Sequence, residues 1–194
     1  MKRLSTAMIL VSLFMFAAGC SPASTPTMTW GIAEIRATDP GPANVTSAVV
    51  YLSNLEVHMV SGNMSDNTSG NLTASDDSSG WIPVLGAPAS FDLMNVIGVE
   101  QILGSANLTA GSFNQIHMDV SKVTGVTTGN ISYSATVPSD KLMIVGAFNI
   151  GGGNTTTLTL DFDGSQSLIQ TGQGKFLFKP VVKLLVNSGG KTVQ

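Results

Sequence analysis

Three aspartates are the side chains best suited by type and spacing to bind a metal ion. Asp161 and Asp163 stand two residues apart at the end of a predicted strand, so both carboxylates lie on one face. Asp39 begins another turn. If these turns meet, the three carboxylates and nearby carbonyls would suit Ca²⁺, which takes about six to eight oxygen ligands. The alternative is that each aspartate caps its own turn. The sequence lacks the spacing of a calcium loop.

Other catalytic chemistry has weaker support in the residues. His58 and His117 are the only histidines, and zinc would need more ligands beside them, so we interpret both as strand-surface residues. No G-x-S-x-G elbow is present, and the run Gly151–Gly153 lacks the Lys-Ser/Thr of a phosphate loop. We therefore predict a protein that is not an enzyme and has no catalytic residues. Trp30 and Trp81 are interpreted as core or edge anchors.

The N-terminus predicts export. Met1–Arg3 is basic, Leu4–Phe16 is apolar but short for a membrane span, and small residues follow. The sequence Ala17-Ala18-Gly19-Cys20 resembles a lipobox, although Ala17 stands where leucine is usual. The resemblance implies cleavage after residue 19 and acyl chains such as palmitate on Cys20. The alternative is an ordinary signal peptide cut near Ala18.

The mature chain is acidic. Loss of Lys2 and Arg3 leaves seven basic residues against twelve acidic ones, a net charge of −5. No basic cluster remains that would bind nucleic acid. Cys20 is the only cysteine, so no intrachain disulfide is possible. We expect residues 20–28 to tether one domain, 29–187, to the outer side of a cell membrane, with a disordered tail at 188–194.

The mature chain reads as short strands separated by turns, which is typical of an all-β sandwich. Leu55, Val57 and Met59 alternate with the outward Glu56 and His58, and a change of parity upstream predicts a bulge near 53–54. The predicted strands are 30–38, 45–60, 81–85, 90–94, 112–120, 131–137, 141–150, 155–162 and 175–186.

One helix is predicted. In Asn95–Leu103 the apolar residues recur at helical spacing, Asn95 can cap the start and Gly104 can end it, although Gly98 weakens the pattern.

Residues 61–80 form a polar, low-complexity stretch that we interpret as a flexible hairpin insertion. Asn-x-Ser/Thr sequons, which suit exposed turns, are candidate glycosylation sites if the host glycosylates asparagine. They lie at Asn44, Asn63, Asn67, Asn71, Asn107, Asn130 and Asn154.

Three segments together resemble one family, DUF4382, a domain of unknown function found in bacterial and archaeal lipoproteins. The first is Ala37-Thr38-Asp39-Pro40 followed by Val45 to His58. The second, in 80–120, contains GWIPV, FDLMNVIG and SANLTAGSFNQIHMDV. The third, in 137–186, contains VPS, TTLTLDFDGSQSL and GKFLFKPVVKLLV. The resemblance implies a β-sandwich lipoprotein domain and supplies no catalytic residues. The turn Ala110–Phe113 also resembles transthyretin-like and carboxypeptidase-regulatory-like sandwiches.

These observations predict an Ig-like or transthyretin-like antiparallel β-sandwich. Its predicted function is binding or adhesion at the cell envelope, to an unknown protein or carbohydrate partner, without a cofactor. Two alternatives stay open. One is a purely structural envelope module, and the other is a calcium-dependent binding domain that uses Asp39, Asp161 and Asp163.

Overall fold

The computed structural model describes residues 29–39, 41–60 and 80–188. The predicted signal peptide, Cys20 and its tether, nearly all of the insertion and the last six residues lie outside these ranges. In the described part the elements are β1 Trp30–Thr38, β2 Val45–Met59, β3 Trp81–Pro83, β4 Ala89–Asp92, β5 Gln101–Thr109, β6 Gly111–Thr127, β7 Ser132–Thr136, β8 Lys141–Ile150, β9 Thr155–Phe162, α1 Gly164–Ser167, β10 Leu168–Gln170, a 3-10 turn Gly172–Gly174, β11 Phe176–Phe178 and β12 Val182–Ser188.

The strands form two sheets, so the all-β, sandwich-like prediction is confirmed. The small sheet has the order β12-β9-β1-β5. The large sheet has the order β10-β11-β7-β6-β2-β3, with β4 also paired to β2 and β8 to β6. The prediction of purely antiparallel pairing is wrong, because β1 pairs with β9, and β7 with β11, in parallel.

The core lies between the sheets and is built from the inward positions of alternating strands. Ile35 of β1 and Leu160 of β9 are fully buried, as is Val57 of β2. Phe91 of the large sheet packs on Phe162 of the small sheet, with ring centroids 5.2 Å apart. The alternation predicted for β2 is confirmed, and its register with β6 shifts between Leu52 and Asn54, where the bulge was expected.

The predicted helix 95–103 is wrong. Gly98 has a φ of +68°, a left-handed conformation that interrupts a right-handed helix. Val96 is buried, but Val99 is 56% exposed, so the apolar spacing does not form one face. The Val96 carbonyl accepts the backbone N–H of Asp39, and residues from Gln101 onward pair with β1 as β5.

The single strand predicted at 175–186 is also wrong. It divides into β11 and β12, which belong to different sheets. Pro180 lies in the connection, and its missing N–H and fixed φ disfavour a continuous strand there. The last strand extends through Ser188, one residue into the predicted tail.

The chain enters the sandwich at one end, which we call the entry end. There β1 begins at Trp30, which pairs with Thr109, while Met59 at the end of β2 pairs with Phe113. Ser188 at the end of β12 pairs with Thr156 near the start of β9, which lies at the same end. The opposite end, which we call the far end, holds Asp39 and helix α1.

Candidate functional site

Asp39, the first calcium candidate, is a buried carboxylate at the far end, with 2% of its surface exposed. Its Oδ1 accepts backbone N–H groups from Gly41 and, at 3.1 Å, from Gly164. Its Oδ2 is buried without a hydrogen-bond partner. Burial raises the pKa of Asp39 from 3.8 to about 6, against the lowering effect of the two N–H groups, and the charges of Asp163 and Asp161 add to the rise.

Asp163 caps helix α1. Its Oδ1 accepts hydrogen bonds from the Ser165 hydroxyl at 2.6 Å and the Gln166 backbone N–H at 3.1 Å. These hydrogen bonds hold the pKa of Asp163 below its usual value, and the bond from Ser165 has the largest effect. Asp161 lies across from Lys183 on β12. Two of the three aspartates therefore perform the turn-capping role that was the alternative to calcium.

Among the residues that the structure describes, no group of three or more His, Cys, Asp or Glu side chains could hold a metal ion. The three aspartates do gather at one end of the sandwich, and their charges interact. Calcium binding at this end stays the alternative to turn capping.

A charged group on the outer face of the small sheet was not predicted. Arg36 lies 2.5 Å from the Glu34 carboxylate and 2.8 Å from that of Glu100. Glu100 also accepts the Thr159 hydroxyl at 3.0 Å. The pKa of Glu100 is lowered, and the hydrogen bond from Arg36 is the largest cause. Glu34 and Arg36 stand two residues apart on one strand, so their pairing could have been predicted from the sequence. Glu100 is far away in sequence, so its contact with Arg36 could not.

Trp81 and both histidines form a cluster on the outer face of the large sheet. The indole of Trp81 stacks on the imidazole of His117, with centroids 3.7 Å apart and planes 22° from parallel. The His58 ring is 4.7 Å from Trp81 and tilted by 54°. We call Trp81, His58, His117, Glu56 and Asn114 the aromatic cluster.

Polar side chains flank these rings. Glu56 Oε1 lies 3.4 Å from His117 Nδ1, and Asn114 Oδ1 lies 2.8 Å from His58 Nδ1. The strand register explains the grouping, because Glu56 pairs with His117 on β6 while His58 pairs with Trp81 on β3. The outward positions of Glu56 and His58 were predicted. Trp81 lies on β3 at the edge of the large sheet, as one of its two interpretations predicted. Sequence reasoning missed Asn114 and the contact of Trp81 with the histidines, since both depend on which strands are neighbours.

Other candidate positions are placed at the surface. The sequons Asn44, Asn107, Asn130 and Asn154 are exposed, as N-glycosylation requires, whereas Asn63, Asn67 and Asn71 lie outside the described residues.

A groove of about 510 Å³ separates the edges of β8 and β12. Its lining is largely aliphatic, with Lys183 as the charged residue.

No helix in the described ranges is long and apolar enough to cross a membrane.

Comparison with known proteins places the chain in a family. No curated protein matches it, and neither does any solved structure, so the likeness to Ig-like and transthyretin-like sandwiches stays a prediction. The model of a domain of unknown function, DUF4382, matches residues 31–180. That range runs from β1 to the connection before β12 and includes the aromatic cluster and all three far-end aspartates. The chain therefore belongs to the DUF4382 family.

Proposed function

We propose that this protein is an exported lipoprotein whose sandwich is a non-catalytic binding domain, held outside the cytoplasm by acyl chains on Cys20. The anchor is supported by the basic, apolar and small-residue stretches that precede Cys20. A thioether diacylglycerol supplies two acyl chains, which is what stable anchoring requires.

Mass spectrometry of the mature N-terminus tests the anchor. The expected mature chain starts at Cys20, carries diacylglycerol and sediments with membranes. Cys20→Ser should remove the lipid mass and release the protein, while the neighbouring Ser21→Ala should retain both. An unlipidated wild-type chain that starts elsewhere would refute the anchor.

The aromatic cluster is the observation that best supports a binding role. It combines stacked rings with the carboxylate of Glu56 and the amide of Asn114, at outward positions of three neighbouring strands. Trp is enriched among the residues that dominate binding energy, because its large ring buries much area at low entropic cost. The partner would be a protein or carbohydrate of the cell envelope.

Binding can be tested with a glycan array and with capture of envelope proteins by the full mature chain. Trp81→Ala should weaken the interaction at least roughly tenfold if Trp81 is a dominant contact. Ile131→Ala is a matched control, since Ile131 is an apolar side chain with 67% exposure outside the cluster. If no ligand is captured and deletion instead impairs envelope integrity, the structural-module alternative replaces binding. Turnover of an ester, peptide or glycoside that depends on the cluster would establish an enzyme.

A further inference from the structure

The entry end carries no formal charge among its described residues. The stretches that form it by strand register, 29–33, 59–60, 80, 106–113, 148–156 and 188, contain no Asp, Glu, Lys or Arg. The described charged residues begin further along the strands, with Glu34 and Glu56, and continue to Asp39 and Asp163 at the far end. Covering these described residues therefore requires none of their side chains to leave water as an ion, which would be costly.

Apolar side chains are exposed at this same end. Trp30 is 38% exposed, Ile32 40% and Val60 39%. The entry-end backbone connects the strand ends that carry them: Val60 N–H donates to the Ser112 carbonyl at 2.9 Å, and Ala110 N–H donates to the Thr29 carbonyl at 2.7 Å. Trp is favoured where one part of a surface is apolar and another is wet, as at the headgroup layer of a membrane.

The length of chain before the sandwich keeps this end close to an anchor. The nine residues 20–28 lie between the start of the mature chain and Thr29. Even fully extended, they would span only about 30 Å. The chain joins the sandwich at Trp30, so an acylated Cys20 would hold the entry end nearer to the lipid surface than the far end.

We propose that the entry end docks on a lipid surface, with Trp30 in the headgroup layer and the far end left to solution. This inference rests on the proposed acylation of Cys20. The lipid surface is a zwitterionic one. The mature chain has a net charge of −5, and residues 61–79, which leave from Val60 and return at Gly80, contain Asp66, Asp76 and Asp77. Anionic lipid repels such charges.

Two exposed serines at opposite ends provide a matched pair for the test. Ser112→Cys places a label at the entry end, and Ser165→Cys places one at the far end, on α1. The lipidated full chain is labelled with a polarity-sensitive fluorophore and reconstituted in phosphatidylcholine vesicles that contain headgroup-nitroxide lipid. The label at 112 should shift to the blue and be quenched several-fold more than the label at 165. Trp30→Ala should reduce that difference.

Equal exposure of both labels to water, in chains that float with the vesicles, would overturn docking and leave the anchor intact. Chains that do not float would refute the anchor and docking together. Adding phosphatidylserine should reduce quenching at 112, and stronger quenching there would contradict a zwitterionic surface. Circular dichroism verifies that Trp30→Ala stays folded, which is expected because this side chain is exposed at the first residue of β1.

Discussion

The carboxylate of Asp39 accepts a hydrogen bond from the backbone N–H of Gly164, a residue 125 positions away in the chain. This bond joins the end of β1 to the first turn of α1. Because Asp39 is buried and its Oδ2 has no partner, the same contact links the stability of the far end to protonation. A change at either residue therefore perturbs the far end, Asp39 through its charge and Gly164 through its packing.

Asp39→Asn should remove a pH dependence of stability. The pKa of Asp39 is raised from 3.8 to about 6 by burial, so the folded state holds its proton more tightly than the unfolded state. The wild-type free energy of unfolding should fall by up to about 3 kcal/mol as pH rises from 4 to 6, and then level off. Denaturant titrations at several pH values would show this fall in the wild type. An equally steep fall in the variant would contradict it.

Gly164→Ala should destabilise the domain. A Cβ at this position would lie 2.6 Å from Asp39 Oδ2 and 2.7 Å from Pro42 Cδ, closer than real contacts allow. We expect a loss of about 1–3 kcal/mol in thermal or denaturant unfolding. Gly172→Ala is the control, because a Cβ at residue 172 would have no neighbour within 4 Å, and it should change stability by less than about 0.5 kcal/mol. Equal effects of the two changes would contradict the close packing of Gly164.

Arg36→Ala should have a small, salt-dependent effect. Arg36 lies between two carboxylates, but its side chain is 33% exposed, and that of Glu100 is 41% exposed. Solvent screening limits the loss to about 1 kcal/mol or less, and added salt should reduce it further. The pKa of Glu100 should rise toward its ordinary value, which carboxylate NMR titration would detect. Lys141→Ala, at a weaker pair 3.7 Å from Asp119, should have less effect.

Calorimetry with calcium should decide between capping and metal binding at the far end. Asp39 and Asp163 already accept backbone N–H groups, so we expect no saturable heat at millimolar calcium, and Asp161→Ala should behave like the wild type. A saturable heat that disappears in Asp161→Ala would establish the calcium-dependent alternative. Thermal unfolding with and without calcium provides a second readout.

Local patterns predicted the strands well where burial on one face decides the spacing. Leu55, Val57 and Met59 alternate with polar neighbours, and the structure buries all three. The segment around Val99 led to a wrong prediction of a helix, because apolar residues at helical spacing also occur in a turn followed by a strand. Gly98 was the residue in the sequence that opposed the helix, and its left-handed backbone shows why.

The sites were harder to predict, because their members come from distant strands. That Asp39 approaches α1 depends on the parallel pairing of β1 with β9, which no local pattern specifies. Trp81 meets His117 only because β3 and β6 both flank β2. The residue types could be read from the sequence, but their contacts could be predicted only with knowledge of the strand register.

The parallel pairing of β1 with β9 also has a consequence for how the chain folds. β1 lies inside the small sheet, yet its partner on one side begins at Thr155, and β12 completes the sheet only at Ser188. A ribosome or export channel that has released the first half of the chain has delivered β1 without that partner. Since loop closure must precede such distant pairing, the small sheet should form slowly and should close only after the residues up to Ser188 have emerged.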